Sequence, residues 1–326
     1  MLKKNIIIVS SLAFLVVSFF LSLCIGRYNI SVSDVFLALL GSGSHSVNVV
    51  VLSLRLPRVI CAVLIGAALA SSGAAYQGMF QNPLVSPDIL GVSAGACIGA
   101  IISILWGLNA SLMMFFSFIT GIISVSLAIL LSIIAKKNKN IVLVFSGIIV
   151  GRFMNSIVGM LIFFADDENQ VAAIIEWQMG SLAKISTQNL MILGQLLFVC
   201  IVLLYLFRWR INLLSVGDSE AKALGVNVTR ERLLIILVAS LATAISVCIA
   251  GTITWIGLIV PHICRWIIKD DNRYSMPLNI ILGGIVLLAS DTVARSLMPY
   301  ELPLEVITGL VGAPIFAVIM VKRWKY

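Results

Sequence analysis

The stretch Ser215-Val-Gly-Asp-Ser-Glu-Ala-Lys-Ala-Leu-Gly-Val226 lies inside the one long polar interruption, Arg208 to Arg232, in the second half of a strongly apolar chain. Its grammar is that of a short helix with a defined start and stop. Gly217 precedes it, Asp218 and Ser219 can cap exposed amides, the acids come first, Lys222 follows, and Gly225 is the C-terminal brake. Isolated helices shorter than about 12 residues are marginal in water, so this one is expected to gain its order by packing on another surface. A solvated connector is the alternative. Ala221, Ala223, Leu224 and Val226 argue against it, because a pure linker has no use for small and apolar groups among its charges.

The surroundings of the block define the class. Of the 326 residues, 60% are apolar and 11% charged, and the mean hydropathy is +1.12, which no soluble domain matches. A membrane helix needs about 20 mostly apolar residues to cross roughly 30 Å of hydrocarbon. Ten spans are predicted on that basis, near 6–25, 57–80, 89–106, 112–134, 141–164, 189–207, 232–251, 253–268, 277–298 and 303–321. The first follows Lys3 and Lys4 as a secretory signal would, but it is long and no A-x-A site follows, so it reads as a retained helix. The eighth is short and holds Pro261, and is expected to be broken, tilted or only partly inserted. One membrane domain accounts for residues 1–326.

Basic residues orient the spans. With the N-terminus inside, Lys3, Lys4, Lys136, Lys137, Lys139, Arg208, Arg210, Lys222, Arg230, Arg232, Lys269, Arg273, Lys322, Arg323 and Lys325 share the cytoplasmic face, 15 of the 22 Lys and Arg. The other face holds Arg27, Arg55, Arg58, Lys184 and Arg295 with the acidic run Asp166-Asp167-Glu168. An even span count returns the C-terminus to the cytoplasm. The net charge of +8 then follows from orientation and contact with anionic lipid, and calls for no nucleic-acid partner. Outside, Ser31-Val-Ser-Asp34 before Val35-Phe-Leu-Ala-Leu-Leu40 announces a short interfacial helix, and Asp166 to Glu168 leading into Val171 to Met179 a second one.

The chain offers no chemistry of its own. No nucleophile with a base, carboxylate pair or set of metal ligands converges in the sequence; the six cysteines lie in apolar runs without C-x-x-C spacing, and His262 and Cys264, two apart, point away from each other on a helix. No G-x-x-x-x-G-K-[ST] loop is present, so any nucleotide site belongs to another subunit. Arg152 and Asp291 are the ionisable groups deepest in the spans: an ion path and, for Asp291, a buried structural pair are both open readings.

Three further patterns carry function. Arg55-Leu-Pro-Arg58 opens the second span on the external side, and its planar forks, with Arg295, suit acidic groups of an outside partner. Gln81-Asn-Pro-Leu-Val-Ser-Pro-Asp88 is a rigid turn or, more sharply, a plug at the cytoplasmic mouth with Asn82 and Leu84 as its tip. Gly147, Gly151, Asn155 and Gly159 stack at i, i+4, i+8 and i+12 into a smooth, slightly polar stripe on the fifth span, suited to lining a path for something bulky. Glycine series at 66–73 and 91–99 read as helix-packing positions.

Taken together, these residues resemble the FecCD family, permease subunits of bacterial ABC importers for iron-siderophore complexes, haem and vitamin B12. The resemblance runs from Arg55 to Pro314. It rests on Arg55-Leu-Pro-Arg58; Gly73 through Gln77-Gly78 to Asn82-Pro-Leu84; Asp88-Ile-Leu-Gly-Val-Ser-Ala-Gly-Ala96; Gly217 to Gly225; Gly257-Leu-Ile-Val-Pro-His262; Asp291-Thr-Val-Ala-Arg295; and Glu301-Leu-Pro-Leu-Glu305 to Gly312-Ala-Pro314. It implies an all-α polytopic membrane protein, a BtuC-like type II ABC importer permease with ten transmembrane helices and both termini cytoplasmic, in the bacterial cytoplasmic membrane. It also implies a dimer with a second copy or a paralogue, two ABC ATPase subunits that use the ATP, and an extracytoplasmic binding protein, with no cofactor held by this chain.

By the same resemblance, Gly217, Asp218, Ser219, Glu220, Ala221, Lys222, Ala223, Leu224 and Gly225, within a segment of about 212–228, match the helix that couples to the ATPase. Arg55, Arg58 and Arg295 match positions that receive acids of the binding protein. Asn82, Pro83 and Leu84 resemble the cytoplasmic gate, and Gly147, Gly151, Asn155 and Gly159 the pathway wall. The expected cargo is an iron(III)-siderophore, with haem or cobalamin as alternatives on the same machinery; an ion-coupled secondary transporter is the rival class.

Overall fold

The computed structural model describes residues 2–135, 139–165 and 167–323, and among them the chain is helical without a strand. Lys136, Lys137, Asp166 and Lys325, which enter the topology reading, lie outside the described residues, as do the side chains of Lys139, Lys322 and Arg323. In chain order the helices are α1 (Leu2–Cys24), α2 (Val32–Leu39), α3 (His45–Asn48), α4 (Leu56–Phe80), α5 (Val92–Leu105), α6 (Ala110–Ile134), α7 (Lys139–Phe163), α8 (Glu168–Gln178), α9 (Thr187–Leu206), α10 (Arg208–Ser215), α11 (Asp218–Ala223), α12 (Val228–Ala250), α13 (Ile256–Ile268), α14 (Asn272–Ser296) and α15 (Leu304–Arg323). A π-helical turn, Val49–Arg55, fuses α3 to α4, and a 3-10 turn, Pro87–Leu90, precedes α5.

Seven rods are long and apolar enough to cross a membrane: α1, the fused His45–Phe80 rod, α6, α7, α9, α12 and α14. The shorter apolar helices α5, α13 and Leu304–Ile319 of α15 fall on the third, eighth and tenth predicted segments. The two interfacial helices form where expected. Ser31 accepts the Asp34 N–H at the start of α2, and Asp167 accepts the Asn169 N–H at the start of α8. That backbone bond holds the Asp167 carboxyl below the usual carboxylate range.

The bundle is built around α4. Nineteen of its 25 residues are buried, and its run of Ala, Gly and Ser explains how: small residues let neighbouring backbones touch. A Cβ at Gly66 would stand 2.1 Å from the Gly283 carbonyl oxygen of α14, and one at Gly73 would stand 1.8 Å from the Gly257 carbonyl oxygen of α13. Gly99 meets the Phe116 carbonyl of α6 in the same way. Gly66→Leu is therefore expected to abolish folding, since no side chain can move to relieve a clash with main chain; recovery of a monodisperse protein in detergent at wild-type yield would refute the close crossing.

The eighth segment is broken at its start. Residues 251–255 are not helical, Trp255 adopts a φ of 72°, and α13 begins only at Ile256. Irregular backbone inside a bilayer persists where protein satisfies it, and here the ends of α8, α12 and α15 with the chain beside them do so for one another. The Ser181 N–H donates to the Ala250 carbonyl (2.8 Å), the Leu304 N–H to that of Gly180 (3.0 Å) and the Glu305 N–H to that of Met179 (3.1 Å), while the Thr252 hydroxyl bonds the Gln178 carbonyl. The breaks before α5 and α13 face each other across a cavity of about 360 Å³, with Asp88, Ser93, Thr243, Trp255 and Glu305 in its wall.

Candidate functional site

The polar block folds as two short helices. Gly217, at a φ of 126°, breaks α10 from α11. Asp218 does not cap the new helix, contrary to the sequence expectation: it already occupies the first helical position, and its carboxylate accepts Arg232 Nη2 at 2.6 Å, from α12. The stop is as expected. Gly225 takes a φ of 80°, its N–H donates to the Lys222 carbonyl (2.9 Å), and the Val226 N–H reaches the Ala221 carbonyl (3.0 Å), the paired bonds of a Schellman ending.

Ala221 is fully buried and pins α11 to the body, while Ser219, Glu220, Lys222, Ala223 and Leu224 are exposed, Leu224 at 66%. Beneath it α10 is tied to the start of α14, where Asn212 donates to Asp271 (2.9 Å) and accepts the Asn272 N–H (2.8 Å). Hydrogen bonding from the Arg273 side chain holds the Asp271 carboxyl well below the usual range. The result is a small platform with an apolar centre, Val216, Ala223 and Leu224, between charges.

This platform touches the 81–88 turn through a residue that the sequence did not single out. Gln81 closes α4 in the left-handed conformation (φ 53°), and its side-chain amide donates to the Leu214 and Ser215 carbonyls at 3.3 and 3.4 Å, capping α10. The turn itself is stiff: the Asn82 side chain accepts the Leu84 N–H (3.0 Å), and Gln77 donates to the Val85 carbonyl (3.0 Å). Asn82 and Leu84 are exposed and Pro83 half-buried. The only sequence signal for Gln81 was an amide at a helix end. Its bonds are half-exposed and worth about 1 kcal/mol each, so Gln81→Leu should leave thermal stability within a few degrees and weaken coupling between platform and turn instead.

Arg55, Arg58 and Arg295 come together, but as an internal network. Arg55 is buried and donates to the Leu23, Cys24 and Tyr28 carbonyls (2.7, 3.0 and 2.5 Å), closing the open end of α1. Arg58 bonds Asp291 through Nε (2.9 Å) and grips Glu301 with both Nη atoms (2.9 and 3.0 Å). Arg295 is buried, bonds the Ser22 carbonyl and hydroxyl, and lies 3.6 Å from the fully buried Asp291. The forks read as open to a partner are thus filled from within the chain, because the end of α1 and the carboxylate of α14 reach them first. Asp291 is a paired structural charge. Three guanidiniums against two carboxylates leave the cluster with one net positive charge, and its outermost member is the Arg58–Glu301 pair.

The stripe on α7 divides. Gly147 is buried, with a notional Cβ 2.2 Å from the Ile89 carbonyl, and Gly151 rests on Gly91; both admit the turn before α5. Asn155 and Gly159 are exposed, and nothing stands within 4 Å of a Cβ built on Gly159. Only this half of the stripe offers an open wall.

The same order of elements and motifs recurs in known proteins. The family model of the FecCD transport family matches residues 14–322. The chain belongs to the FecCD transport family. Among similar FecCD proteins, the molybdate import system permease of Haemophilus influenzae is 33% identical, over 94% of this chain and 93% of the relative. A probable iron chelatin transport system permease of Helicobacter pylori is 37% identical, over 83% and 82%. A solved inward-facing conformation of a putative metal-chelate type ABC transporter superposes with a TM-score of 0.90 at 33% identity, over 98% of this chain and 99% of that one. This FecCD member is accordingly a multi-pass membrane permease of an ABC importer, a transport subunit.

Proposed function

We propose that this permease carries an iron(III)-siderophore complex across the bacterial cytoplasmic membrane as half of a dimer, with ten spans and both termini cytoplasmic. Two ABC ATPases dock on α11, and an extracytoplasmic binding protein delivers the cargo to the opposite face. The observation that carries this reading is the platform: a six-residue helix too short to stand alone is fixed from below by Ala221 and Arg232, presents an apolar centre outward, and is tied by Gln81 to the Asn82–Leu84 gate. Relatives that carry iron chelatin and a metal-chelate type neighbour favour an iron chelate as cargo.

Reconstitution tests it. In proteoliposomes, the chain with its ATPase and binding protein should accumulate a ferric siderophore only with ATP, and the chain alone should show no uptake under a proton or sodium gradient. Gradient-driven uptake without an ATPase would instead identify a secondary carrier.

Docking on the external side is proposed to centre on the Arg58–Glu301 pair, where an acid of the binding protein competes with Glu301. Glu301→Gln leaves Arg58 a free fork, and capture of the binding protein should tighten by about 3-fold at low salt and less at high salt. Unchanged or weaker capture would remove Arg58 from the docking surface.

A further inference from the structure

We propose that Arg152 holds the cargo in transit and that the cargo is consequently an anionic chelate; this deepens the importer reading above and rests on it. Arg152 lies near the middle of α7, Lys139–Phe163, roughly 16 Å or more from either end at 1.5 Å per residue. It is exposed, and among the described residues its guanidinium makes no hydrogen bond or ion pair. A charge in the middle of a bilayer is expensive even on lenient insertion scales, so it does not face lipid tails.

Towards the C-terminal end its neighbours on the open face are Asn155, Ser156 and Gly159, at +3, +4 and +7, all exposed, and towards the other end they are the exposed Ile149, Ile148 and Phe145; Val150, Met154 and Val158, on the other face, are buried. The open side of α7 therefore changes character at Arg152, apolar on one side of it and a polar, small-residue patch on the other, where a lipid-facing helix would be apolar throughout.

A second copy of the chain does not neutralise it. The described carboxylates in or beside the apolar helices that line the cavity or the arginine cluster face inward: Asp88 and Glu305 into the cavity, Asp291 to Arg58 and Arg295. In a two-fold dimer with α7 along the path, Arg152 meets the same residue of its partner, and two guanidiniums in a narrow, poorly hydrated space repel. An anion between them resolves the repulsion. Arginine's planar fork suits the paired oxygens of carboxylates and phosphates, and equally the oxygens of an anionic catecholate chelate.

The test is uptake by the assembled transporter, with its ATPase and binding protein, of an anionic ferric tris-catecholate and a neutral ferric tris-hydroxamate. Wild type should favour the anionic chelate; Arg152→Gln should lower its uptake by about 10-fold or more, and Arg152→Lys, which keeps the charge without the fork, should recover most of it. Wild-type uptake of the anionic chelate that Arg152→Gln leaves unchanged overturns the assignment, as does wild-type preference for the neutral chelate. ATP-dependent uptake of neither chelate by wild type overturns the iron-siderophore reading instead. Should Arg152→Gln fail to assemble, binding of the ferric catecholate to the wild-type complex in detergent, followed by its visible absorbance, decides: the affinity should fall as salt rises, and salt-independent binding refutes a charge contact.

Discussion

Replacing Asp291 by alanine should cost about 3–5 kcal/mol, because it strands Arg58 and Arg295 in a buried site without their shared counter-charge. Asp291 is fully buried, and the side chains of Arg58 and Arg295 are 12% and 7% exposed, so water cannot replace the lost carboxylate. The same cluster joins α1, α4 and α14, through Ser22, Arg58 and Arg295, and its loss should loosen α1 from the bundle. The measurement is thermal unfolding of the purified protein in detergent: a large drop in the midpoint for Asp291→Ala is expected, and a much smaller one for Asp291→Leu combined with Arg58→Met and Arg295→Met, which removes the unpaired charges. A midpoint for Asp291→Ala within a degree or two of wild type would sink the network as a structural element.

The second large effect is on the α11 platform. Ala223→Glu with Leu224→Glu places two charges at the apolar centre beside Glu220, where a docking partner must exclude water. Loss of a buried anchor at such an interface is worth about 2 kcal/mol or more, so copurification of the ATPase and ATP-driven uptake should both fall at least about 10-fold. Both side chains are exposed, so insertion and thermal stability should stay near wild type. Ala221→Glu is the contrasting variant. That side chain is fully buried, so a glutamate there should damage the fold before it reaches the question of docking. Normal uptake by the double glutamate variant would show that the ATPase docks elsewhere.

Much of this was legible because it is local. Apolar runs of span length are read one segment at a time, and the three short ones, α5, α13 and α15, fall where the hydropathy pattern puts them. The stop of α11 at Gly225 was legible for the same reason: a left-handed residue is needed there, and glycine supplies it without strain. The start was misread because the partner of Asp218 is Arg232, one helix further on.

That the arginine forks are filled from within the chain was illegible for a larger version of that reason. Arg295 bonds Ser22 at the opposite end of the chain, and Arg58 bonds residues more than 230 positions away, so no spacing rule could tell an open fork from a filled one. The α7 stripe shows the limit most simply. Gly147 and Gly159 are indistinguishable by type and periodicity, yet one receives the turn before α5 and the other faces open space.

The sequence by itself determined the membrane class, the placement of the apolar helices, the family and the presence of a short polar helix with its glycine stop, since these depend on composition, hydrophobic run length and short motifs. Only the tertiary structure decided which side chains are spent inside the fold and which stay exposed: Asp291, Arg55 and Arg295 within, Leu224 and Arg152 without. The physical reason is that the worth of a charge or a glycine in a low-dielectric bundle depends on what stands a few ångströms away, and those neighbours are supplied by distant parts of the chain.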